Sequence, residues 1–238
     1  MKLSIIIPTF NEEKTITKVL EKVFNLDIPG VEKEVVVVDD GSTDATASEI
    51  SNFKFQISNF KFFRHRKNLG KGAAVRTGIK HAAGDYIAIQ DADLEYNPDE
   101  IIRLIEPIRK GKVEVVYGTR INRLPNFKRD ERTIRFFIHY LGNKFLSLLT
   151  SILYLQWVTD METGYKLFSK KALDNIKLNA KGFEFEPEIT AKLMKKGYKI
   201  FEVPISTNPR GYKEGKKLNA IADGISALFH LIKYRFID

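Results

Sequence analysis

The sequence predicts an α/β protein built on a mostly parallel sheet. Short, mostly apolar runs at 3–8 (LSIIIP), 34–38 (EVVVV) and 85–90 (DYIAIQ) read as strands buried on both faces, the habit of parallel sheets. Segments with apolar residues at helical spacing stand between them. Each of the three runs also stops at polar or acidic residues (NEE, DDGSTD, DADLEY), where the carboxyl ends of strands would lie and where open α/β sheets bind ligands.

Taken in order, residues 2–8 form the first strand. Asn11 is placed to cap a helix with Glu12 and Glu13 in its first turn and Ile16, Val19, Leu20 and Val23 on its buried face. Pro29-Gly30 breaks the chain. Residues 34–38 are a strand ending at Asp39-Asp40-Gly41, and Ser42, Thr43 and Asp44 supply helix-start chemistry. Residues 50–56 (ISNFKFQ) recur as 57–63 (ISNFKFF). Two copies cannot stack into a solenoid, and the pair reads as an insertion in a helix-to-strand connection. Gly70-Lys71-Gly72 opens a helix reaching about residue 83, and the strand at 85–90 runs into Asp91-Ala92-Asp93. Asn97-Pro98-Asp99-Glu100 holds a cap, a proline at the first helical position and a glutamate three after the cap. Ile101, Leu104, Ile105 and Ile108 follow as the apolar face. A strand at 113–117 ends in Gly118-Thr119-Arg120. Residues 121–133 are polar, basic and loop-like, and 134–158 are a long apolar helical stretch. A strand at 163–168, a helix at 188–196 stopped by Gly197, a strand at 199–203 and a basic amphipathic helix at 219–236 complete the chain.

Composition narrows the function. With 238 residues, 43% hydrophobic and 29% charged, and a mean hydropathy of −0.23, the chain is neither a polytopic membrane protein nor disordered overall. The lack of cysteine excludes a disulfide scaffold, a thiolate metal site and a cysteine nucleophile, and fits a reducing compartment. The N-terminal apolar run is too short for a signal peptide. The net charge is +9, and the basic excess lies beyond residue 102, which suits an anionic partner. Gly70-Lys71-Gly72 lacks a third glycine at Val75, so it is no dinucleotide fingerprint. No GxxxxGK[ST] or GxSxG occurs, and His65, His81, His139 and His230 have no metal spacing. No basic-aromatic module beyond the FKF repeat speaks for nucleic acid.

Asp91 and Asp93, at i and i+2 after a strand, face one way, and Glu95 joins them if the chain stays extended. Such hard oxygen ligands suit Mg2+ or Mn2+ shared with a diphosphate. Asp39 and Asp40 could accept from a nucleobase N–H and ribose hydroxyls, or serve a capping turn.

Together SIIIPTFNEE, VVVDDGSTD, NLGKGAAVRTGIKHAAGDYIAIQDADLEY, GTR, TDMETGYKLF and EVPISTNPRGYKEGKKL resemble the family 2 glycosyltransferases of the GT-A fold, and among them the polyprenyl-phosphate sugar transferases. The likeness runs in order over nearly the whole chain. It implies one domain over 1–238, with a nucleotide-sugar half (1–120), an acceptor side (121–218) and a C-terminal amphipathic helix (219–238). It implies that Pro8, Phe10 and Glu12 line the nucleotide pocket, with Val38, Asp39 and Asp40 at the base and ribose. Asp91, Ala92 and Asp93 would meet the sugar nucleotide, and Asp91, Asp93 and Glu95 the metal. Glu95 stands where the mannose enzymes usually have glutamine, which weakens a mannose assignment. Arg120, Arg210 and Lys216 would meet phosphate.

The implied reaction moves a hexose, with inversion, from a GDP- or UDP-linked donor to a polyprenyl (dolichyl or undecaprenyl) phosphate, with Asp93, Arg120 and Asp160 as the catalytic set. A phosphate acceptor needs no general base. A saccharide or protein hydroxyl acceptor would need one, and Asp160 in TDMETGY is then the candidate. Asp160 could equally hold its loop. The uncharged run 145–157 is too short to span a bilayer, and LFHLIKYRF near the C-terminus fits a membrane surface. The expected place is the cytoplasmic side of a membrane, as a peripheral protein.

Overall fold

The computed structural model describes residues 1–54, 59–111, 113–120, 134–208 and 220–237. Its elements are β1 (Lys2–Thr9), α1 (Ile16–Asn25), β2 (Glu32–Asp39), α2 (Thr46–Lys54), β3 (Phe60–Arg64), α3 (Lys71–His81), β4 (Tyr86–Ile89), α4 (Glu100–Arg109), β5 (Val115–Thr119), α5 (Ile134–Tyr154), β6 (Lys166–Ser169), α6 (Lys170–Leu173), α7 (Phe185–Lys195), β7 (Ile200–Pro204) and α8 (Ala220–Phe236). Seven strands form one sheet in the order β3-β2-β1-β4-β6-β5-β7. All pairings are parallel except those of β6, which is antiparallel to both β4 and β5.

Alternation along the strands divides the core into two layers. Ile6, Val36, Val38, Ile87 and Ile89 lie on one face with Ala74 and Val75 of α3, Phe185 and Ile189 of α7, and Leu146 and Tyr154 of α5. Ile5, Ile7, Val35, Val37 and Ala88 lie on the other, with Val19 and Leu20 of α1 and Leu104 and Ile105 of α4. Each fully buried aliphatic side chain contributes roughly 1.5–3 kcal/mol, so the strands are fixed from both sides.

The structure revises three expectations. Asn11 does not cap α1: its φ is 50°, and the helix starts at Ile16 after a turn closed by Thr15 N–H on Glu12 O. Asn11 instead joins the loops after β1 and β2, its N–H donating to Ser42 Oγ (2.9 Å) and its Oδ1 accepting from Thr43 N–H (2.8 Å). The duplication is not a plain insertion. Its first copy ends α2, and its second supplies β3, which pairs with β2 from Val35↔Phe60 to Asp39↔Arg64. The shared Phe-Lys pair is thus helix at Phe53-Lys54 and strand at Phe60-Lys61, because the open edge of β2 supplies hydrogen-bond partners that local propensity does not. Asn97 does not cap α4, which begins at Glu100. Residues 97–102 enter it through a tight turn in which Glu100 N–H bonds Asn97 O and Ile101 N–H bonds Pro98 O, and the Asn97 amide donates to Asp99 Oδ2.

Candidate active site

At the end of β2, Asp39 is fully buried. Its Oδ1 accepts from Ser42 N–H (3.0 Å), and its Oδ2 lies 2.9 Å from Arg64 Nε. Asp40 reaches the other way. Its Oδ1 meets His65 Nδ1 (2.6 Å) and Leu69 N–H (3.0 Å), and its Oδ2 accepts from Gly70 N–H (2.7 Å) at the start of α3. The carboxylate therefore sits on a helix N-terminus, where its charge is favoured. Val38 is core, so only its backbone can meet a ligand. Pro8 and Glu12 are buried beside these loops, with Glu12 N–H on Thr46 Oγ1 (2.8 Å), and Phe10 is half-buried. Gly41, Ser42 and Thr43 face Arg64, His65 and Arg66 across an open cavity of about 430 Å³.

At the end of β4 the partners are different. Asp91 Oδ1 lies 2.8 Å from Lys71 Nζ, which is also 3.3 Å from Glu186 Oε1. Lys166 Nζ pairs with the other oxygen of Glu186, donates to the carbonyls of Met161 and Thr163, and stands 4.6 Å above the Tyr117 ring. This chain of charges ties β4, α3, α7 and β6 together. Burial opposes the charge on Lys71, but Asp91 and Glu186 overcome it and hold its pKa above the usual lysine range. For Lys166 burial prevails over Glu186, and the pKa falls.

Asp93 Oδ1 accepts from Glu95 N–H (3.0 Å), and Leu94 has a φ of 63°. The chain is therefore not extended here, and the condition that would bring Glu95 alongside the two aspartates is not met. Among the described residues, no three His, Asp or Glu side chains gather as a metal cage. Two hard carboxylates remain at the strand end, with Ala92 buried between them. A β-carbon on Gly164 would lie 2.3 Å from Asp91 Oδ2, so the glycine alone lets the loop before β6 lie against that oxygen. This cramped oxygen-lined place fits a small divalent cation that takes its other ligands from a diphosphate.

Arg120 follows β5, and Asp160 lies in the loop before β6. Asp160 is 0% exposed. Its Oδ2 accepts from Arg120 N–H (2.9 Å) and Nε (2.7 Å), and its Oδ1 from Arg120 Nη2 (2.8 Å) and Asn143 Nδ2 (2.9 Å). Burial works against ionisation, yet Arg120 and these bonds keep its pKa below the usual carboxylate value. Such an oxygen pair holds a guanidinium well and takes a proton poorly. Tyr96 lies under Arg120, with the guanidinium 6.0 Å from its ring, and burial pushes its hydroxyl up to about 12. That hydroxyl accepts from Gly164 N–H (3.0 Å).

The structure thus brings Asp91, Ala92, Asp93, Arg120 and Asp160 to one end of the sheet, with Pro8, Phe10, Glu12, Val38, Asp39 and Asp40 beside them. Arg210, Lys216 and the basic stretch 121–133 lie outside the described residues. Sequence reasoning missed Lys71, Tyr96, Glu162, Lys166 and Glu186. Four of these, all but Glu186, stood within segments already singled out, GKG, DADLEY and TDMETGYKLF. Only the fold reveals that they converge.

A mostly parallel sheet with one antiparallel strand, and an acidic pair at the carboxyl end of β4, agree with the GT-A fold class. The model for "Glycosyl transferase family 2" matches residues 4–177, and the chain belongs to that family. It is similar to a dolichol-phosphate mannosyltransferase of Pyrococcus furiosus (31% identity; 98% of this chain, 64% of that enzyme's length). It is also similar to a dolichyl-phosphate beta-glucosyltransferase of Trichomonas vaginalis (29%; 97% and 71%). A third relative is a UDP-N-acetylglucosamine–dolichyl-phosphate N-acetylglucosaminyltransferase of Methanococcus voltae (32%; 96% and 94%). Among solved structures, the fold matches glucosyl-3-phosphoglycerate synthase of Mycobacterium tuberculosis in complex with Mn2+, UDP and phosphoglyceric acid. The TM-score is 0.74 at 20% identity, over all of this chain and 79% of that one. The same synthase with Mg2+ and UDP matches at 0.71, 19% identity, over all of this chain and 80% of that one.

Proposed function

We propose that the protein transfers a hexose, with inversion and with Mg2+ or Mn2+, from a GDP- or UDP-linked donor to a polyprenyl phosphate. The relatives named for dolichyl phosphate support the acceptor class. The observation that carries it is the outer face of α5 and α8. These helices pack together, with the Tyr154 hydroxyl on Leu231 O (2.8 Å). Their far sides and the turn after α5 expose Phe145, Ile152, Leu155 (87%), Trp157 (71%), Phe229 and Phe236. So much apolar surface on paired helices suits the interfacial region of a bilayer, where a lipid acceptor resides. Among the described residues, no helix is long and apolar enough to cross a membrane, which is compatible with a peripheral protein on the cytoplasmic surface.

In this reading Pro8, Phe10, Glu12 and the cavity between residues 41–43 and 64–66 receive the nucleoside, and Asp40 shapes that cavity through His65. Asp91 and Asp93 would hold the cation, which when bound neutralises charge on the diphosphate. Arg120, locked by Asp160, offers a fixed positive charge to phosphate. Arg210 and Lys216 would add to it. The acceptor phosphate oxygen forms the bond to the anomeric carbon, and the pair of electrons of the breaking C–O bond leaves with the nucleoside diphosphate. An anionic acceptor gives up no proton, so a saturated Asp160 is no obstacle.

The test is a panel of UDP-glucose, UDP-N-acetylglucosamine and GDP-mannose with Mn2+, read as nucleoside diphosphate release and lipid-linked sugar. Turnover that depends on polyprenyl phosphate is expected. Turnover on saccharide or peptide acceptors with none on the lipid overturns the acceptor assignment.

A further inference from the structure

The loop before β6 is pinned on both sides of Glu162. Asp160 is clamped to Arg120 and Asn143, and its own N–H, with that of Thr159, is held by Glu202 (2.9–3.0 Å). Gly164 is bonded to the Tyr96 hydroxyl and lies against Asp91. Between these anchors, Oε1 of Glu162 is buried with no hydrogen-bond partner among the described residues. The two cations that act on it, Lys166 and Arg120, are already committed to Glu186 and Asp160. Burial first, and then Glu186, push the Glu162 carboxyl up to about 7, against the pull of Lys166 and Arg120. A buried, unpartnered carboxylate oxygen on a rigid loop is costly, and it persists where a ligand supplies the missing donor.

We propose that Glu162 reads the donor sugar: its Oε1 accepts hydrogen bonds from hydroxyls of the hexose attached to the nucleoside diphosphate. The inference rests on the nucleotide-sugar reading above. Three features select this ligand. A phosphate would meet like charge from Glu162 and the nearby Glu186. A hexose is neutral and rich in O–H donors. The loop that carries Glu162 also touches Asp91 through Gly164, so the group stands beside the place where the diphosphate ends and the sugar begins.

The experiment is calorimetric titration of wild type, Glu162→Gln and Glu162→Ala with UDP and GDP alone, and with UDP-glucose, UDP-N-acetylglucosamine and GDP-mannose, beside thermal melting. Glu162→Ala should weaken the donor that wild type binds best by about 10- to 100-fold, the range for a hydrogen bond to a charged group. Its affinity for the matching nucleoside diphosphate should stay within about twofold. Glu162→Gln, nearly the same shape without the buried charge, should lose less and melt no lower than wild type. Equal loss for diphosphate and nucleotide sugar, or no loss for either, overturns the proposal. So does a fall of about 10²–10⁴ in kcat with donor affinity intact, which marks a general base. If wild type binds the diphosphates but none of the sugars, this inference falls and a nucleotide site stands. If it binds none of the five ligands, the donor reading falls with it.

Discussion

The ends of β2 and β4 both carry paired acidic residues, DD and DAD, and the protein holds them in different ways. Asp40 is held by the backbone N–H groups of Leu69 and Gly70 and by His65, so it fastens a loop to the start of α3. Asp91 is held by Lys71, an amine on a flexible stem that also has Glu186 within reach. A carboxylate bonded to backbone is scaffold. A carboxylate paired with a mobile side chain can exchange that partner for a ligand. The same contrast recurs within one loop, where Asp160 is saturated and Glu162 keeps an oxygen without a partner among the described residues.

The largest expected effect comes from the β4 end. Asp93→Ala should lower transfer by about 10³-fold or more while melting changes little, because several kcal/mol of charge stabilisation on the diphosphate is lost. Steady-state turnover with Mn2+, beside melting, checks it, and retained activity would place this pair with the scaffold. Next is Asp160→Asn, which leaves Arg120 half-paired and should destabilise the fold by about 3 kcal/mol. In lipid-phosphate transfer the loss should be roughly tenfold or less once folding is corrected for, since no proton moves. The pH sign also follows. With its folded pKa depressed, Asp160 contributes stability above the unfolded carboxylate pKa and loses it as pH falls through the folded value. Urea melts from pH 7 downward should show an acid-induced loss in wild type that is reduced in the variant.

Asp40→Ala tests the other side. Unsatisfied N–H groups at Leu69 and Gly70 should lower stability by about 2 kcal/mol, with residual transfer proportional to the folded fraction. A stable Asp40→Ala protein that cannot bind nucleotide would erase the distinction between the strand ends. The smallest effect is at the surface. Trp157→Asp should reduce cosedimentation with anionic vesicles several-fold and leave melting within about 0.5 kcal/mol of wild type. Unchanged vesicle binding would separate the apolar face from lipid.

Much of this was legible from local pattern. The valine and isoleucine runs marked β1, β2 and β4, and the acidic residues after them lie at the edge of the sheet where the proposed site stands. The misses have a common cause. β3 exists because β2 has an open edge, which no reading of FKF by itself can tell. Asp40 and Asp91 look equivalent until their partners, tens of residues away in sequence, are known. Glu162 and Lys166 meet Glu186 of α7 because β6 runs antiparallel between β4 and β5, and brings its preceding loop back to the strand ends.

The ladder from Asp91 through Lys71 and Glu186 to Lys166 has a last consequence. With Arg120 and Asp160 it sets three positive side chains against three negative ones within the described residues. Those six side chains therefore balance one another, with Asp93 and Glu162 outside that count. The ladder does not wait for an ion to cancel repulsion among its own acids, so its assembly and the arming of the proposed site become separate events. A cell could hold the folded enzyme in reserve and let cation and donor supply decide when it works.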